Sequence, residues 1–209
     1  AAAICPEYRR LLDGLELADS LVVNPHKWLF TPVDCSVLLV RDPHALRAAF
    51  SLVPEYLRTD ESGVTNLMDY GPQLGRRFRA LKLWMVIRAF GVEGLRARIR
   101  RHCALAGKFA ERVRGEHGFE LSAPAPFSTV CFRAVPDLPP ERQDEFNERL
   151  LSEVNRAGPA FLSHTKLRGR LVLRLAIGNL RTTERHVEQA WRLVRHTARR
   201  LLARGKREG

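Results

Sequence analysis

The feature that most constrains this chain is a short apolar strand that leads directly into a polar turn containing proline. Ser20–Val23 is the kind of aliphatic, β-branched run that forms a buried strand. Pro25 has no N–H to donate to a sheet, so the strand should end at or just before it. Lys27 then lies just past a strand end, where α/β enzymes place ligands and reacting groups. Most lysines in such positions are solvated charges, so position alone leaves both interpretations open.

Length and composition set the outer limits. The 209 residues suffice for one large domain or two small ones, and the apolar fraction of 45% and charged fraction of 28% are those of a soluble globular protein. No apolar run approaches the length of a membrane span. The four cysteines form no Cys-x-x-Cys pair, which argues against a zinc site and a disulfide framework and fits a reducing cytoplasm. Because the first residue is Ala1 and no start-of-domain pattern follows it, we expect a piece of a longer protein.

The positive charge is concentrated in one segment. The formal net charge is +12, and residues 76–114 hold twelve Arg or Lys against two acids. One interpretation is a surface that binds nucleic acid or an acidic membrane. The other is compositional, because 30 Arg against 5 Lys suggests a GC-rich bacterial genome. No zinc-finger spacing, glycine-rich loop or aromatic platform accompanies the charge, so nucleic-acid binding is the less favoured alternative.

Hydrophobic periodicity predicts strands and helices along the rest of the chain. Asp42 and Pro43 have the residue types of a helix cap and a first helical position. Residues 53–69 form a polar loop, either a lid over a site or an ordinary surface connection. The predicted strands are 20–23, 36–40, 119–122, 129–134, 160–163 and 171–177. One short helix is predicted directly after Asp42. Four more are predicted at 75–89, 95–114, 141–155 and 184–203, with a break at 91–94 between the first two of these.

Several motifs resemble the group II pyridoxal-phosphate-dependent amino acid decarboxylases. Ala18–Ser20, Asn24–Trp28 and Asp34–Ser36 are similar to the family's lysine segment. Gly75–Trp84 is similar to the aromatic-L-amino-acid branch, which decarboxylates dopa, tyrosine or tryptophan, and differs from the glutamate branch. Further similarity to the family's carboxy-terminal domain lies at Val130–Arg133, Leu173–Ala176 and Glu188–Trp191.

The resemblance implies an α/β fold of the aspartate aminotransferase type. Residues 1–81 would be the end of the large domain that binds pyridoxal phosphate, and residues 82–209 the α+β small domain. The family builds its active site at a homodimer interface. The aspartate that pairs with the pyridine nitrogen, the histidine that stacks on the ring and the phosphate-binding groups would lie upstream of Ala1. We therefore expect the 209 residues alone to be inactive.

The resemblance also implies roles for five residues. Lys27 would carry pyridoxal 5'-phosphate as a Schiff base, and Asn24 would help to hold the cofactor. His26 would lie near the phosphate or the covering loop, although a histidine that only anchors the turn is equally compatible. Tyr56 would give a proton to the carbon that has lost carbon dioxide, or else pack on the surface as an ordinary loop tyrosine. Gly75 would leave room for a large substrate ring.

The implied activity is decarboxylation of an aromatic L-amino acid to the amine and carbon dioxide in the cytoplasm. Related enzymes with phenylalanine at the loop position of Tyr56 release an aldehyde, so an aromatic aldehyde synthase is the alternative within the family.

Overall fold

A computed structural model describes residues 1–51 and 63–205, and the chain divides into two compact units, Ala1–Leu95 and Arg96–Gly209. In the described residues no helix is both long and apolar enough to cross a membrane. The proposed assignment of residues 1–81 and 82–209 to a large and a small domain stays a prediction.

The first unit is organised around a two-stranded antiparallel sheet. Strands β1 (Ser20–Val23) and β2 (Val37–Val40) pair with Ser20 opposite Val40 and Val23 opposite Val37. Both predicted strands are confirmed, and β1 ends before Pro25, which starts the one-turn helix α1 (Pro25–Trp28). Val22, Leu38 and Leu39 remain about half exposed on this sheet. Short 3-10 helices precede it at Ala2–Ile4, Pro6–Leu12 and Leu15–Leu17.

Helix α2 (Pro43–Phe50) has the predicted start. The carboxylate of Asp42 accepts hydrogen bonds from the backbone N–H of His44 at 2.8 Å and of Ala45 at 3.3 Å. These bonds satisfy two of the N–H groups that a helix start leaves open. The predicted cap is therefore confirmed.

Segment α3 (Arg79–Gly115) consists of two helices joined at Gly91. It starts at Arg79, because residues 71–78 are not helical, so the predicted start at residue 75 was wrong. The predicted break between two helices is confirmed at Gly91, whose φ of 63° and ψ of 170° lie outside the helical region. Glycine tolerates this left-handed φ without steric cost, so the chain can turn there and resume the helix.

The second unit has the predicted α+β architecture. Its sheet consists of β3 (Phe119–Leu121), β4 (Thr129–Ala134), β5 (Ser163–Leu167) and β6 (Arg170–Ala176), in the order β3-β4-β6-β5, with every pairing antiparallel. Helices α4 (Pro140–Ala157) and α5 (Glu184–Gly205) complete the unit together with the second part of α3.

One hydrophobic core joins these helices to one face of the sheet. Alternate residues of β4 and β6 point into it, as expected for a sheet covered on one side. Trp191 of α5 lies at its centre, with ring centroids 5.1 Å from Phe119, 5.5 Å from Phe109 and 6.5 Å from Phe132, all edge-on. Other buried members are Leu105, Val113, Val130, Leu150, Val154, Leu171, Leu173 and Val194.

Two asparagines of α4 bond to backbone groups in place of a neighbouring strand. The amide of Asn147, which is fully buried, bonds to both the N–H and the C=O of Ala134 at 2.9 Å. Asn155 does the same at Leu162, at 2.8 and 2.9 Å. The backbone N–H and C=O of Leu162 bond to this side chain and so do not pair with a strand. The strand predicted at 160–163 was therefore misplaced. β5 begins at Ser163 instead.

Candidate active site

Lys27 lies in the one-turn helix that follows β1. The turn is closed by backbone bonds from Lys27 N–H to the Asn24 carbonyl at 3.0 Å, and from Leu29 and Thr31 N–H to the Pro25 carbonyl at 3.2 Å. Pro25 itself is buried, whereas the side chain of Lys27 is exposed. Within the described part of the chain, no hydrogen bond or ion pair engages its amine. The backbone is therefore fixed while the amine stays accessible to a ligand.

His26 fixes this turn to the segment that enters β2. Its Nδ1 lies 2.6 Å from the carbonyl oxygen and 3.1 Å from the backbone nitrogen of Cys35. The backbone N–H of His26 also donates to the same carbonyl at 3.3 Å. These contacts favour the anchoring role that the sequence left open for this histidine. A contact with the cofactor through the rest of the ring stays a prediction.

Asn24 is oriented by a second link across the same two segments. The hydroxyl of Ser36 donates to Oδ1 of Asn24 at 2.6 Å. With its oxygen engaged in this way, the amide presents its NH₂ group as a donor. Asn24 does not cap α1 with its side chain. The carboxamide is thus available as a fixed donor beside Lys27.

Asp34 joins the lysine segment to the start of α3. Its carboxylate accepts a hydrogen bond from Nε of Arg79 at 2.8 Å and forms an ion pair with Arg77. The hydrogen bond from Arg79, together with the two positive charges, lowers the pKa of Asp34 below its ordinary value. The Sγ of buried Cys35 lies 3.9 Å from the carbonyl oxygen of Arg79. Two motifs some forty residues apart in sequence are thereby brought into contact.

Sequence reasoning missed this ion-pair cluster of Asp34, Arg77 and Arg79. All three residues lie inside the motifs that carry the family resemblance, but their charges were assigned only to the bulk positive balance. The signal that could have revealed the cluster is an acid isolated in the otherwise uncharged stretch between Lys27 and Arg41, combined with two arginines in a second motif.

Of the other two predicted site residues, Gly75 and Tyr56, only Gly75 lies within the described residues. Gly75 is exposed, and no heavy atom of the described residues lies within 4 Å of the position that a Cβ would take there. This is compatible with space for a ring, although its role toward substrate stays a prediction. Tyr56 and most of the predicted lid-like loop lie outside the described residues.

The two sides of that loop are held together by a buried carboxylate. Asp69, which is 5% exposed, belongs to the 3-10 helix Leu67–Tyr70 and accepts a hydrogen bond from Arg47 of α2 at 3.3 Å. The Arg47 guanidinium also lies 5.9 Å from the ring centroid of Tyr70, within cation–π range. The chain thus leaves α2 and returns at neighbouring points.

The donor set near Lys27 fits an aldehyde cofactor better than a metal. Among the residues that the structure describes, no group of three His, Cys, Asp or Glu side chains could hold a metal ion. An exposed primary amine without a competing partner can condense with an aldehyde. Asn24 adds a fixed amide donor that could hold polar groups of the same ligand.

Comparison with known proteins decides the family. Residues 1–135 match the pyridoxal-dependent decarboxylase conserved domain. The chain belongs to this family. The resemblance drawn from the lysine segment is therefore confirmed, and so is the dependence on pyridoxal that the family's description states.

Named relatives point to the aromatic branch. The chain is 46% identical to tyrosine decarboxylase 2 of Narcissus pseudonarcissus over 97% of its own length and 41% of the relative's. It is also 46% identical to the phenylacetaldehyde synthase of Arabidopsis thaliana, over 97% of this chain and 42% of that protein. The crystal structure of Oryza sativa TDC with PLP and tryptamine superposes with a TM-score of 0.88 at 43% identity, covering 96% of this chain and 42% of that one.

These matches confirm the predicted fold class, that of the pyridoxal-phosphate decarboxylases of the aspartate aminotransferase type. The chain spans about two fifths of the length of the relatives. The plant origin of these relatives gives no support to the expected bacterial source.

Proposed function

We propose that this chain is part of a pyridoxal-phosphate-dependent enzyme that decarboxylates an aromatic L-amino acid to the corresponding amine and carbon dioxide. The observation that carries the proposal is Lys27, an exposed amine on a backbone turn fixed by His26 and Cys35. The aromatic class of substrate is supported by the tyrosine decarboxylase and the tryptamine-bound TDC among the similar proteins.

Lys27, Asn24 and His26 would each contribute differently to holding the cofactor. The amine of Lys27 would attach it covalently, and when bound the cofactor supplies the electron sink for loss of carbon dioxide. Asn24, oriented by Ser36, would donate a hydrogen bond to it. His26 ties the lysine turn to the backbone of Cys35, so the backbone from which the Lys27 side chain extends is fixed.

The rest of the proposal concerns the whole protein. It would act as a cytoplasmic homodimer, in which residues 1–81 end the large domain and residues 82–209 form the small one. Groups that pair with the pyridine nitrogen and the phosphate would come from segments outside these 209 residues. For this reason the isolated chain should release no amine when mixed with cofactor and substrate.

The aldehyde synthase activity is the second candidate, and the identity to phenylacetaldehyde synthase supports it. The two activities differ in the fate of the carbon that has lost carbon dioxide. A prompt proton from an acid such as Tyr56 gives the amine, whereas oxygen gives the aldehyde if no proton arrives. The tyrosine at position 56 favours the decarboxylase.

The nucleic-acid alternative is weakened by the ion pairs of the basic segment. Lys108 pairs with Glu184 at 2.8 Å, Arg112 with Glu188, and Arg114 with Glu111 at 3.6 Å. Arg77 and Arg79 are engaged by Asp34. These are five of the twelve basic residues of the segment 76–114, so the charge available to attract phosphates is smaller than the composition suggests.

A cofactor-binding experiment tests the proposal directly. In the complete protein, Lys27→Ala should abolish the near-visible absorbance band of the covalently bound cofactor and with it the release of carbon dioxide from tyrosine or tryptophan. Lys166→Ala, a change to an exposed lysine of β5, is the matched control and should retain both. A Lys27→Ala protein that keeps the absorbance band would show that another amine holds the cofactor.

A further inference from the structure

The second unit contains a cavity of about 430 Å³ in which no residue discussed so far as a catalytic or cofactor-binding group takes part. It lies where the end of β4, the turn before β3, α4 and the last turns of α5 meet. This volume is within the usual range of small-molecule sites.

The floor of the cavity is apolar. Leu138, Phe146 and Leu201 line it, and the last two are members of the hydrophobic core, exposed by only 8% and 5%. Leu138 and Leu202 present more of their surface to the cavity, which favours a ligand with an apolar body, since binding removes both surfaces from water. The exposed 8% of Phe146 is the part of its ring that an aromatic ligand can contact.

The wall between β4 and α4 is held by hydrogen bonds and is therefore preformed. Val135 donates to the Gly118 carbonyl at 2.8 Å, and Leu138 donates to the Pro136 carbonyl at 2.8 Å. The side chain of Gln143 donates to the Leu138 carbonyl at 3.2 Å. A preformed wall lowers the ordering cost that a ligand would otherwise meet on binding.

The rim carries two positive and two negative side chains. Arg142 and Arg149 lie seven residues apart on α4, which places them on the same face of the helix, with Glu145 between them and Asp137 just before the helix. All four are exposed, and within the described residues none has a hydrogen bond or ion pair from its charged group. Arginines of α5 behave differently, because Arg195 and Arg199 are both held by Glu116.

We propose that this cavity binds an α-amino acid with an aromatic side chain, at a site separate from Lys27. A guanidinium binds a carboxylate through charge-assisted, often two-pronged hydrogen bonds, and a carboxylate on the rim binds an ammonium in the same way. A molecule with only one of the two charges would gain from one pair and be repelled by the other. A zwitterion with an aromatic body satisfies the apolar floor and both pairs of charges.

The experiment measures binding of L-phenylalanine to the full chain carrying Lys27→Ala, by calorimetry at low salt. Lys27→Ala removes the proposed attachment point of the cofactor, so the readout does not depend on decarboxylation. We expect a saturable binding step that is weakened about tenfold or more by the pair Arg142→Gln and Arg149→Gln, and similarly by Asp137→Asn with Glu145→Gln. Binding at the substrate site would not respond to these changes.

Three controls make the result decisive. Arg156→Gln changes another exposed arginine of α4 outside the cavity and should leave binding unchanged. Leu202→Trp, at a partly exposed lining position, should block binding by filling the cavity. 2-Phenylethylamine and 3-phenylpropionate, which lack one charge each, should bind more weakly than phenylalanine. Absence of saturable binding, equal binding by the Arg142 and Arg149 variants, or equal binding by either single-charge compound would each overturn the proposal.

Discussion

The Nε of Arg79 donates to Oδ2 of Asp34 at 2.8 Å, so the first residue of α3 is tied to the segment that enters β2. That segment also holds His26 through Cys35. The position of the lysine turn is therefore coupled to the start of α3 through one half-exposed carboxylate.

The first prediction follows from this carboxylate. Asp34→Asn removes the charge that binds both Arg77 and Arg79, and should lower the thermal midpoint of the chain and weaken cofactor retention in the complete protein. Because the folded state lowers the pKa of Asp34, its stabilisation is present above the ordinary carboxyl pKa. It is lost as the pH falls through the lowered value.

Thermal unfolding at neutral and at strongly acidic pH checks this. The difference between wild type and Asp34→Asn should be clear at pH 7 and vanish in strong acid. Asp13→Asn, a change to an exposed acid without such partners among the described residues, should match wild type throughout. A constant difference at all pH values would mean that packing, and not charge, links the two segments.

The second prediction concerns Asn147. Its replacement by alanine leaves the buried N–H and C=O of Ala134 without partners, and each such group costs about 1–3 kcal/mol. We expect the free energy of unfolding, measured with urea, to fall by roughly 2–4 kcal/mol. Glu148→Ala, on the exposed side of the same helix, should change it by no more than about 0.5 kcal/mol. Equal effects of the two changes would contradict the strand-like role of Asn147.

The third prediction is a pH dependence centred on His102. This side chain is 1% exposed, and burial is the main cause that lowers its pKa, aided by repulsion from Arg101 and opposed by a hydrogen bond with the backbone of Asn179. The unfolded chain therefore binds the proton more readily than the folded chain does. Stability should fall as the pH drops below about 6.5, the ordinary pKa of histidine.

Replacing His102 by glutamine should flatten this part of the stability profile, measured by urea denaturation between pH 7.5 and 5. His164→Gln, at an exposed position of β5, should leave the slope intact. A slope that persists in His102→Gln would assign the acid sensitivity to another group.

The fourth prediction concerns Tyr56 in the complete protein. If its phenol supplies the proton after loss of carbon dioxide, Tyr56→Phe should slow amine formation about a hundred- to ten-thousand-fold. Oxygen would then compete for the unprotonated carbon, with aldehyde, ammonia and hydrogen peroxide as products. Oxygen uptake and mass spectrometry of the products check this. Amine formation at the wild-type rate without oxygen uptake would assign the proton to another acid.

The elements that the sequence predicts well are those in which local pattern and tertiary packing agree. β4 and α5 are examples, since alternating or helically spaced apolar residues fill one core. The error at 160–163 arises where a distant polar contact decides instead. Leu162 is apolar enough for a strand, yet Asn155 takes its backbone groups.

The candidate site also combines features that a local sequence pattern indicates with contacts that it does not. The resemblance of the motif around Lys27 to the family's lysine segment indicated which amine would hold the cofactor, and this role stays a prediction. The contacts of His26 with Cys35 and of Asp34 with Arg79 are side-chain interactions between separate segments, which no local pattern encodes. The sequence therefore indicated candidate site residues, whose roles stay predictions, but not the contacts that hold them in place.

The polar groups of α4 make this helix unusually intolerant of length changes. Asp144 accepts from Leu171 N–H at 3.1 Å, and it lies on the same side of the helix as Asn147 and Asn155. Because each residue advances the helix by about 100°, one residue inserted between 147 and 155 would rotate one asparagine about a quarter-turn away from the backbone groups that it bonds. Related chains should therefore vary in length at the loops around α4, while the helix itself keeps a constant count of residues between its asparagines.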